Sequence, residues 1–102
     1  MPRLIVHDRA KADLDEIADY IAIDSFDSAL RFYQAAREAF ERLADFPGAG
    51  PEHPTGNPAF ANLRIWPITG FRNYPVCYLR LPDGAEILRV IHGARDVNRV
   101  FK

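Results

Sequence analysis

The stretch Glu86-Ile87-Leu88-Arg89-Val90-Ile91-His92-Gly93-Ala94-Arg95-Asp96 decides the fold. Its aliphatic and β-branched run favours a β-strand, and the glycine ends it. Strict alternation divides the strand into two faces, one with Ile87, Arg89 and Ile91 and the other with Leu88, Val90 and His92. Neither face is clearly polar. We therefore expect a central strand that is covered on both sides, either by the rest of the chain or by another protein.

Two further strands are predicted upstream of this stretch. Leu63–Trp66 alternates, Phe71–Leu81 forms a longer run, and the segments 67–70 and 82–84 are typical turns. Pro75 lies within the longer run. Because proline cannot donate to a β-ladder, it predicts an edge position or a bulge there. The second half of the chain therefore reads as a three-stranded antiparallel meander.

The first half of the chain predicts one strand followed by two helices. The apolar run 4–6 is a short strand, and Asp8 and Ser25 are plausible N-caps of the helices. Apolar residues recur with helical spacing at Leu14, Ile17, Ala18 and Ile21, and then at Ala29, Tyr33, Ala36, Phe40 and Leu43. The short link predicts an antiparallel helical hairpin.

Residues 47–61, with four prolines and three glycines, form a predicted loop, and Asp96–Phe101 has room for one helical turn. The order of elements indicates an α+β fold with two layers. A helical hairpin packs on one face of a mostly antiparallel sheet. With 102 residues, the chain is expected to be a single domain, 1–102.

Composition and charge narrow the class of protein. Residues 1–58 carry 6 Lys/Arg and 11 Asp/Glu, whereas residues 59–102 carry 7 and 3, so an acidic helical half precedes a basic strand half. The single cysteine, Cys77, is consistent with a reducing cytosol, and we expect a cytoplasmic protein. No apolar run approaches the roughly 20 residues that span a bilayer, so no membrane partner is expected.

Charged side chains, four of them acidic, mark the predicted outer face of the first helix: Lys11, Asp13, Asp15, Glu16 and Asp19. Asp15 and Asp19, at i and i+4, could share a metal ion, but a solvated face near the helix N-terminus is the preferred interpretation. His7, His53 and His92 have no ligand spacing. We therefore predict neither a metal nor another cofactor.

Basic and aromatic residues of the strand half offer a second kind of site. Five arginines lie in this half: Arg64, Arg72, Arg80, Arg89 and Arg95. They could bind a phosphodiester together with His92 and Tyr74. The preferred interpretation is that they are ordinary arginines on the strand surface. His92 could act as a general acid or base, or be structural. Three aromatic residues could stack on nucleic-acid bases: Trp66, Tyr74 and Tyr78. We favour roles in the core of the sheet or as anchors for a protein partner.

Three motifs in order, residues 9–17, 43–50 and 87–96, resemble the RelE/ParE toxin superfamily of type II toxin–antitoxin modules. The resemblance covers essentially the whole chain. It implies the strand-helix-helix-meander fold derived above. It also implies that the first strand lies beside the last one, which makes the last strand central.

RelE-like members of the superfamily cut mRNA on the ribosome, whereas ParE-like members inhibit DNA gyrase. The RelE-like site implies an arginine at Arg72 and another at Arg95, both present here. Its two lysine positions correspond to Leu63 and Ile65, and its tyrosine position corresponds to Phe101. Since these three side chains cannot transfer a proton, the resemblance favours the ParE-like branch.

The main hypothesis is therefore a ParE-like toxin that inhibits gyrase and forms a hetero-oligomer with a ParD-like antitoxin. One alternative is a ribosome-dependent mRNA endonuclease that uses Arg72, Arg95 and His92. Another is a degenerate module that only binds its antitoxin. Antitoxin contacts are expected at Trp66, Tyr33, Arg64 and Arg72, where arginines would meet acidic antitoxin residues.

Overall fold

The computed structural model describes residues 2–102, without the side chains of residues 94 and 95. The predicted order of strand, two helices and meander is confirmed. The elements are β1 (Arg3–Val6), α1 (Asp8–Ala22), α2 (Phe26–Asp45), a 3-10 turn (Pro58–Phe60), β2 (Leu63–Ile68), β3 (Phe71–Leu81), β4 (Gly84–Val90) and α3 (Ala94–Val100).

The sheet has the strand order β1-β4-β3-β2. β4 pairs in parallel with β1 and antiparallel with β3, so it is the central strand flanked by the first strand, as expected. α1 and α2 form the predicted hairpin and pack on one face of the sheet. Their contact with the sheet is a continuous core that includes Phe32, Phe40, Ile87 and Val90.

Helix α2 begins where its sequence predicts. The Ser25 hydroxyl accepts a hydrogen bond from the Ser28 N–H at 3.1 Å, which satisfies one of the unpaired amides of the first turn. The prediction for α1 was wrong by one residue. His7 is the N-cap and makes no side-chain capping bond, while Asp8 lies in the first turn, where its charge favours the helix dipole.

The alternation predicted for β4 fails after Leu88 because the ladder contains a bulge. Tyr78 pairs with Ile87, whereas Cys77 pairs with Arg89, so Leu88 is an extra residue on β4. Ile87 therefore faces the helices and Leu88 the opposite side. From Val90 onward the faces are exchanged relative to the predicted pattern, with Val90 in the core under the helices and Ile91 on the opposite side.

The second face of the sheet is covered by the chain itself. Leu88 and Ile91 are buried against Val97 and Phe101 of the C-terminal segment, and Phe60 from the loop packs beside them. Full burial of such a side chain contributes roughly 1.5–3 kcal/mol. A second, smaller core thus covers this face of the sheet. Of the two covers that we expected, the rest of the chain or another protein, the chain itself provides it.

Pro75 lies at an irregularity of the sheet, as its position in the sequence predicts. It is paired with Pro67 of β2, and the register shifts between Pro67 and Ile68. The Pro75 carbonyl accepts a hydrogen bond from the Ile91 N–H at 3.1 Å. β2 also continues through Pro67 to Ile68, past its predicted end at Trp66.

Asp13 was expected on the solvated face of α1, and that expectation was wrong. Asp13 is only 3% exposed. Its carboxylate accepts from Arg89 Nε at 2.7 Å, from Arg89 Nη2 at 3.1 Å and from the Val90 N–H at 3.0 Å. Arg9 Nη1 lies 3.2 Å away. A helix carboxylate therefore binds the bulged segment of the central strand.

Replacing Asp13 with alanine is expected to lower the free energy of unfolding by about 3 kcal/mol, because the partly buried Arg89 and the Val90 N–H lose their acceptor. Urea unfolding followed by circular dichroism measures this loss. Asp19→Ala, which removes an exposed carboxylate from the same helix, is the control and should change stability by at most about 0.5 kcal/mol. Equal effects of the two substitutions would contradict this role of Asp13.

Candidate functional site

Hydrocarbon side chains occupy the three positions at which the resemblance implies proton-transfer groups of a RelE-like site. Leu63 is fully buried, Ile65 is half-buried and Phe101 is 3% exposed. The Phe101 ring packs edge-on against Phe60, with 4.9 Å between ring centroids. None of these groups can exchange a proton. This part of the sheet therefore serves as core.

His92 is exposed and stacks on Tyr74, with ring centroids 5.0 Å apart and planes inclined by 29°. The Gly93 N–H donates to the Asn73 carbonyl at 2.7 Å, which holds the segment after β4 beside the exposed Arg72 on β3. The structure thus brings two of the three nuclease candidates to neighbouring segments. The side chain of Arg95, the third candidate, lies outside the described residues.

An open depression of about 300 Å³ adjoins His92 between α1 and the sheet; its lining is Glu16, Ile17, Tyr20, Tyr74 and His92. Burial is the main factor that raises the pKa of Tyr74, and Tyr20 adds to it. Tyr74 is therefore a neutral aromatic wall at physiological pH. This depression offers stacking surface and one carboxylate.

Tyr78 belongs to the core and cannot stack on a nucleic-acid base. It is fully buried, and its hydroxyl accepts from the Gly50 N–H at 2.9 Å and donates to the Pro47 carbonyl at 2.8 Å. Burial raises its pKa. A Cβ at Gly50 would lie 2.5 Å from the Ile65 carbonyl oxygen, so only glycine allows this approach. Tyr78 thereby fixes the loop after α2.

Arg64 is also engaged with that loop. Its Nη1 donates to the Gly50 carbonyl at 2.6 Å, and its Nη2 lies 3.6 Å from Glu52. The same loop covers the outer edge of β2 through backbone bonds from His53 to Leu63 and from Ile65 to Pro51. Arg64 therefore supports the loop first, and a partner would have to compete for its guanidinium.

Trp66 has the half-buried position of a binding anchor. The Arg42 guanidinium lies 5.9 Å from its ring centroid, within range of a cation–π interaction. An open groove of about 480 Å³ runs between α2 and β2; its lining is Ala35, Glu38, Ala39, Arg42, Trp66 and Thr69. An extended or helical segment of a partner could lie along α2 here.

Tyr33 lies away from Trp66, on the flank of α2 that faces α1. It is 39% exposed, and its hydroxyl donates to Asp15 Oδ1 at 2.6 Å. The hydrogen bond to Asp15, partial burial and the negative charges of Asp15 and Asp19 raise the pKa of Tyr33 to about 12. The four residues expected to contact the antitoxin thus do not form one continuous patch. An antitoxin segment that contacts all four must cross α2.

The structure describes the side chains of four of the five arginines singled out in the sequence, and these four do not gather into one anion site. Arg89 is bound to Asp13, Arg64 to the loop, and Arg80 lies beside Gly48 of that loop. Arg72 is exposed at the start of β3. Arg64 and Arg80 line one open depression of about 380 Å³, which Glu52 also lines. At most these two described arginines could bind one phosphodiester together, and Arg72 and Arg89 do not line this depression.

Sequence reasoning missed three residues that organise the site. Asp13 stands three residues after the buried Ala10 and four before Ile17, which is the spacing of a core position. Phe60 lies in a proline-rich loop without periodicity. Arg42 occupies an ordinary surface position of α2, so no local signal distinguishes it.

Neither a cluster of metal ligands nor a membrane-spanning helix occurs among the described residues. No group of three or more His, Cys, Asp or Glu side chains there is arranged to hold a metal ion. Asp15 is instead a hydrogen-bond acceptor for Tyr33. No helix in that part of the chain combines the length and hydrophobicity needed to span a bilayer.

Comparison with solved structures shows the class of fold. The chain superposes on a structure titled "Chromosomal ParDE TA system from P. aeruginosa" with a TM-score of 0.71 and 23% sequence identity, covering 91% of this chain and 97% of the other. A family model described as ParE toxin of type II toxin-antitoxin system, parDE, matches residues 4–97. The chain belongs to this ParE toxin family. No match was found among curated proteins.

The raised pKa of Tyr33 is testable by absorbance at 295 nm. One tyrosine should ionise near pH 12, and Asp15→Asn should move that transition toward the ordinary value, about 10. The folded state holds the Tyr33 proton more tightly than the unfolded state does. The contribution of this proton to the free energy of unfolding is therefore fully present below pH 10 and is lost as the pH rises through 12. Tyr33→Phe identifies the transition by removing it, and an unchanged titration in that variant would contradict the assignment.

Proposed function

We propose that this ParE-family chain is the toxin of a type II toxin–antitoxin module, acts in the cytoplasm as a single domain over residues 1–102, and inhibits DNA gyrase. One observation carries the proposal: the side chains are apolar at the three positions where the resemblance implies the proton-transfer groups of a RelE-like site. Leu63 and Phe101 are buried in the second core, and Ile65 packs beside them. A toxin without acid–base groups there acts by binding rather than by cleaving mRNA.

The family to which the chain belongs supports the same target. ParE-like members of the superfamily inhibit gyrase, and the match extends over residues 4–97. The charge of the chain is compatible with protein binding, because the net charge is only -1 and positive charge does not dominate the surface. The proposed activity needs neither a metal nor another cofactor.

Purified toxin is expected to inhibit supercoiling of relaxed plasmid DNA by the gyrase holoenzyme, with inhibition that rises with toxin concentration. Toxin premixed with its antitoxin should not inhibit. Absence of inhibition at large excess of toxin over gyrase would overturn the proposal. Normal growth after induction of the toxin alone would instead favour a module that only binds its antitoxin.

A ribosome-dependent mRNA endonuclease is the second candidate, because His92 is exposed and lies near the segment that carries Arg72. His92 would transfer the proton, and Arg72 with Arg95 would stabilise charge. Toeprinting of translating ribosomes detects such cleavage. Cleavage that His92→Ala abolishes would establish this candidate, and its absence at saturating toxin would eliminate it.

We further propose that a ParD-like antitoxin binds at the basic strand half and along the groove beside α2, forming a hetero-oligomer. Trp66 would be the apolar anchor, and Arg64 and Arg72 would meet acidic residues. Tyr33 would be reached where the segment crosses α2. A short neighbouring reading frame that encodes a ribbon-helix-helix protein would identify this partner.

Trp66→Ala and Arg72→Glu should each weaken binding of the antitoxin by at least about tenfold, because one removes an anchor and the other reverses a charge. Calorimetric titration with the product of the neighbouring reading frame measures the affinity. Arg37→Glu, at an exposed arginine of α2 outside the expected contacts, is the control. Equal affinities for all variants would place the antitoxin elsewhere.

A further inference from the structure

The tip of the helical hairpin carries an apolar patch that the fold does not use. Nine large hydrophobic side chains of the described residues are exposed, and five of them lie between positions 20 and 33. Ile23, Phe26 and Leu30 stand at the tip, with exposed fractions of 79%, 68% and 53%. We name these three residues the tip patch.

The tip patch does not contribute to the core of the protein. The buried seam of α2 runs through Ala29, Phe32 and Ala36, whereas Phe26 and Leu30, at i and i+4, form a separate stripe. Clustered apolar side chains in water mark an interaction surface when folding does not require them. A protein partner is therefore the natural cover for this patch.

Negative charge predominates around the tip patch and limits what can cover it. Residues 12–30 contain six acidic residues and no Lys, Arg or His, and the first cation beyond them is the exposed Arg31, next to Leu30. Asp13 is buried with Arg89, and the other five are exposed: Asp15, Glu16, Asp19, Asp24 and Asp27. Asp24 adjoins Ile23, and Asp27 adjoins Phe26. The complementary surface is basic with an apolar centre.

Two other occupants are disfavoured by the same charges. A second copy of this chain would bring acidic residues against acidic residues, which is repulsive. An acidic antitoxin segment that matches the arginines of the strand half would be repelled at the hairpin tip. Of the three partners compared, the charges around the tip patch therefore favour the target of the toxin.

We propose that the tip patch is the surface by which this toxin docks on gyrase, through a basic region of that enzyme with an apolar centre. The docking surface lies at the hairpin tip, whereas the proposed antitoxin surface follows the strand half and the groove beside α2. The two come closest at Tyr33, one turn after Leu30. This inference rests on the proposed function. It assigns the target contact to Ile23, Phe26 and Leu30, with the surrounding carboxylates steering the encounter.

The double variant Phe26→Ser/Leu30→Ser tests the docking surface in the supercoiling assay with the gyrase holoenzyme. The toxin concentration for half-maximal inhibition should rise at least about tenfold, as expected for loss of interface anchors. Phe46→Ser is the matched control, since Phe46 is 60% exposed at the opposite end of α2. The control should inhibit within about twofold of the wild-type toxin.

The charge reversal Asp24→Lys/Asp27→Lys tests the surrounding carboxylates separately. Inhibition by wild-type toxin should weaken as KCl is raised, because salt screens exposed charges. The reversed variant should inhibit several-fold less at low salt and lose most of that salt dependence. Unchanged inhibition with unchanged salt dependence would overturn the steering role.

Two controls separate docking from folding and from antitoxin binding. The melting temperature of the Phe26→Ser/Leu30→Ser variant should stay within about 3 °C of wild type, because exposed substitutions alter stability little. Its affinity for the product of the neighbouring reading frame should fall by at most about twofold, because the variant retains Tyr33, the expected antitoxin contact next to Leu30. A parallel loss of that affinity would assign the tip patch to the antitoxin and overturn the inference.

The remaining outcomes are distinct. A concentration-dependent dimer of the wild-type chain in sedimentation, abolished by the variant, would make the patch a self-association surface and overturn the inference. Equal inhibition of gyrase by the variant and the wild type would refute the docking surface alone. If the wild-type toxin does not inhibit gyrase at all, the proposed function fails and the inference fails with it.

Discussion

The fold depends on one carboxylate that joins the first helix to the central strand. Asp13 accepts two hydrogen bonds from Arg89 and one from the Val90 N–H, at the point where the bulge breaks the alternation of β4. Because β4 is hydrogen-bonded to strands on both sides, fixing α1 on it fixes the hairpin against the whole sheet. A buried ion pair adds little net stability compared with hydrocarbon, but leaving one partner unpaired is costly. The pair therefore favours one register of α1 over its alternatives.

The opposite face of the sheet is closed by a second hydrocarbon core. Leu63 and Phe101 belong to it, and Phe60 completes their packing. The resemblance noted in the sequence implies proton-transfer groups of a RelE-like site at these two positions, and both are apolar here. On the proposals made above, function resides in surfaces of opposite charge: an acidic hairpin with an apolar tip, and a basic strand half with Trp66 beside α2.

Periodicity and turn chemistry predicted the elements, their order and the central place of β4. The failures have specific causes. Because Asp13 is acidic, we expected it to face solvent, although its helical spacing from Ala10 is that of a core position. The bulge at Leu88 depends on pairing with Tyr78 and Cys77, which a single strand's alternation does not reveal. The cover by Phe60 arises from a loop without periodicity. For the site, sequence reasoning named Trp66 and Tyr33 together, but only the packing of α2 shows that they lie on different flanks.

The parallel pairing of β1 with β4 determines when the toxin can fold during its synthesis. Arg3 pairs with Gly84, so β1 has no strand partner until residues 84–87 have been translated. The hairpin is synthesised early, yet Asp13 can bind Arg89 only after β4 has been synthesised, and the second core also requires Phe101. Closing so long a loop is entropically costly and slows folding. A nascent chain that stops before β4 therefore lacks the closed sheet, and both cores can form only after Phe101 has left the ribosome.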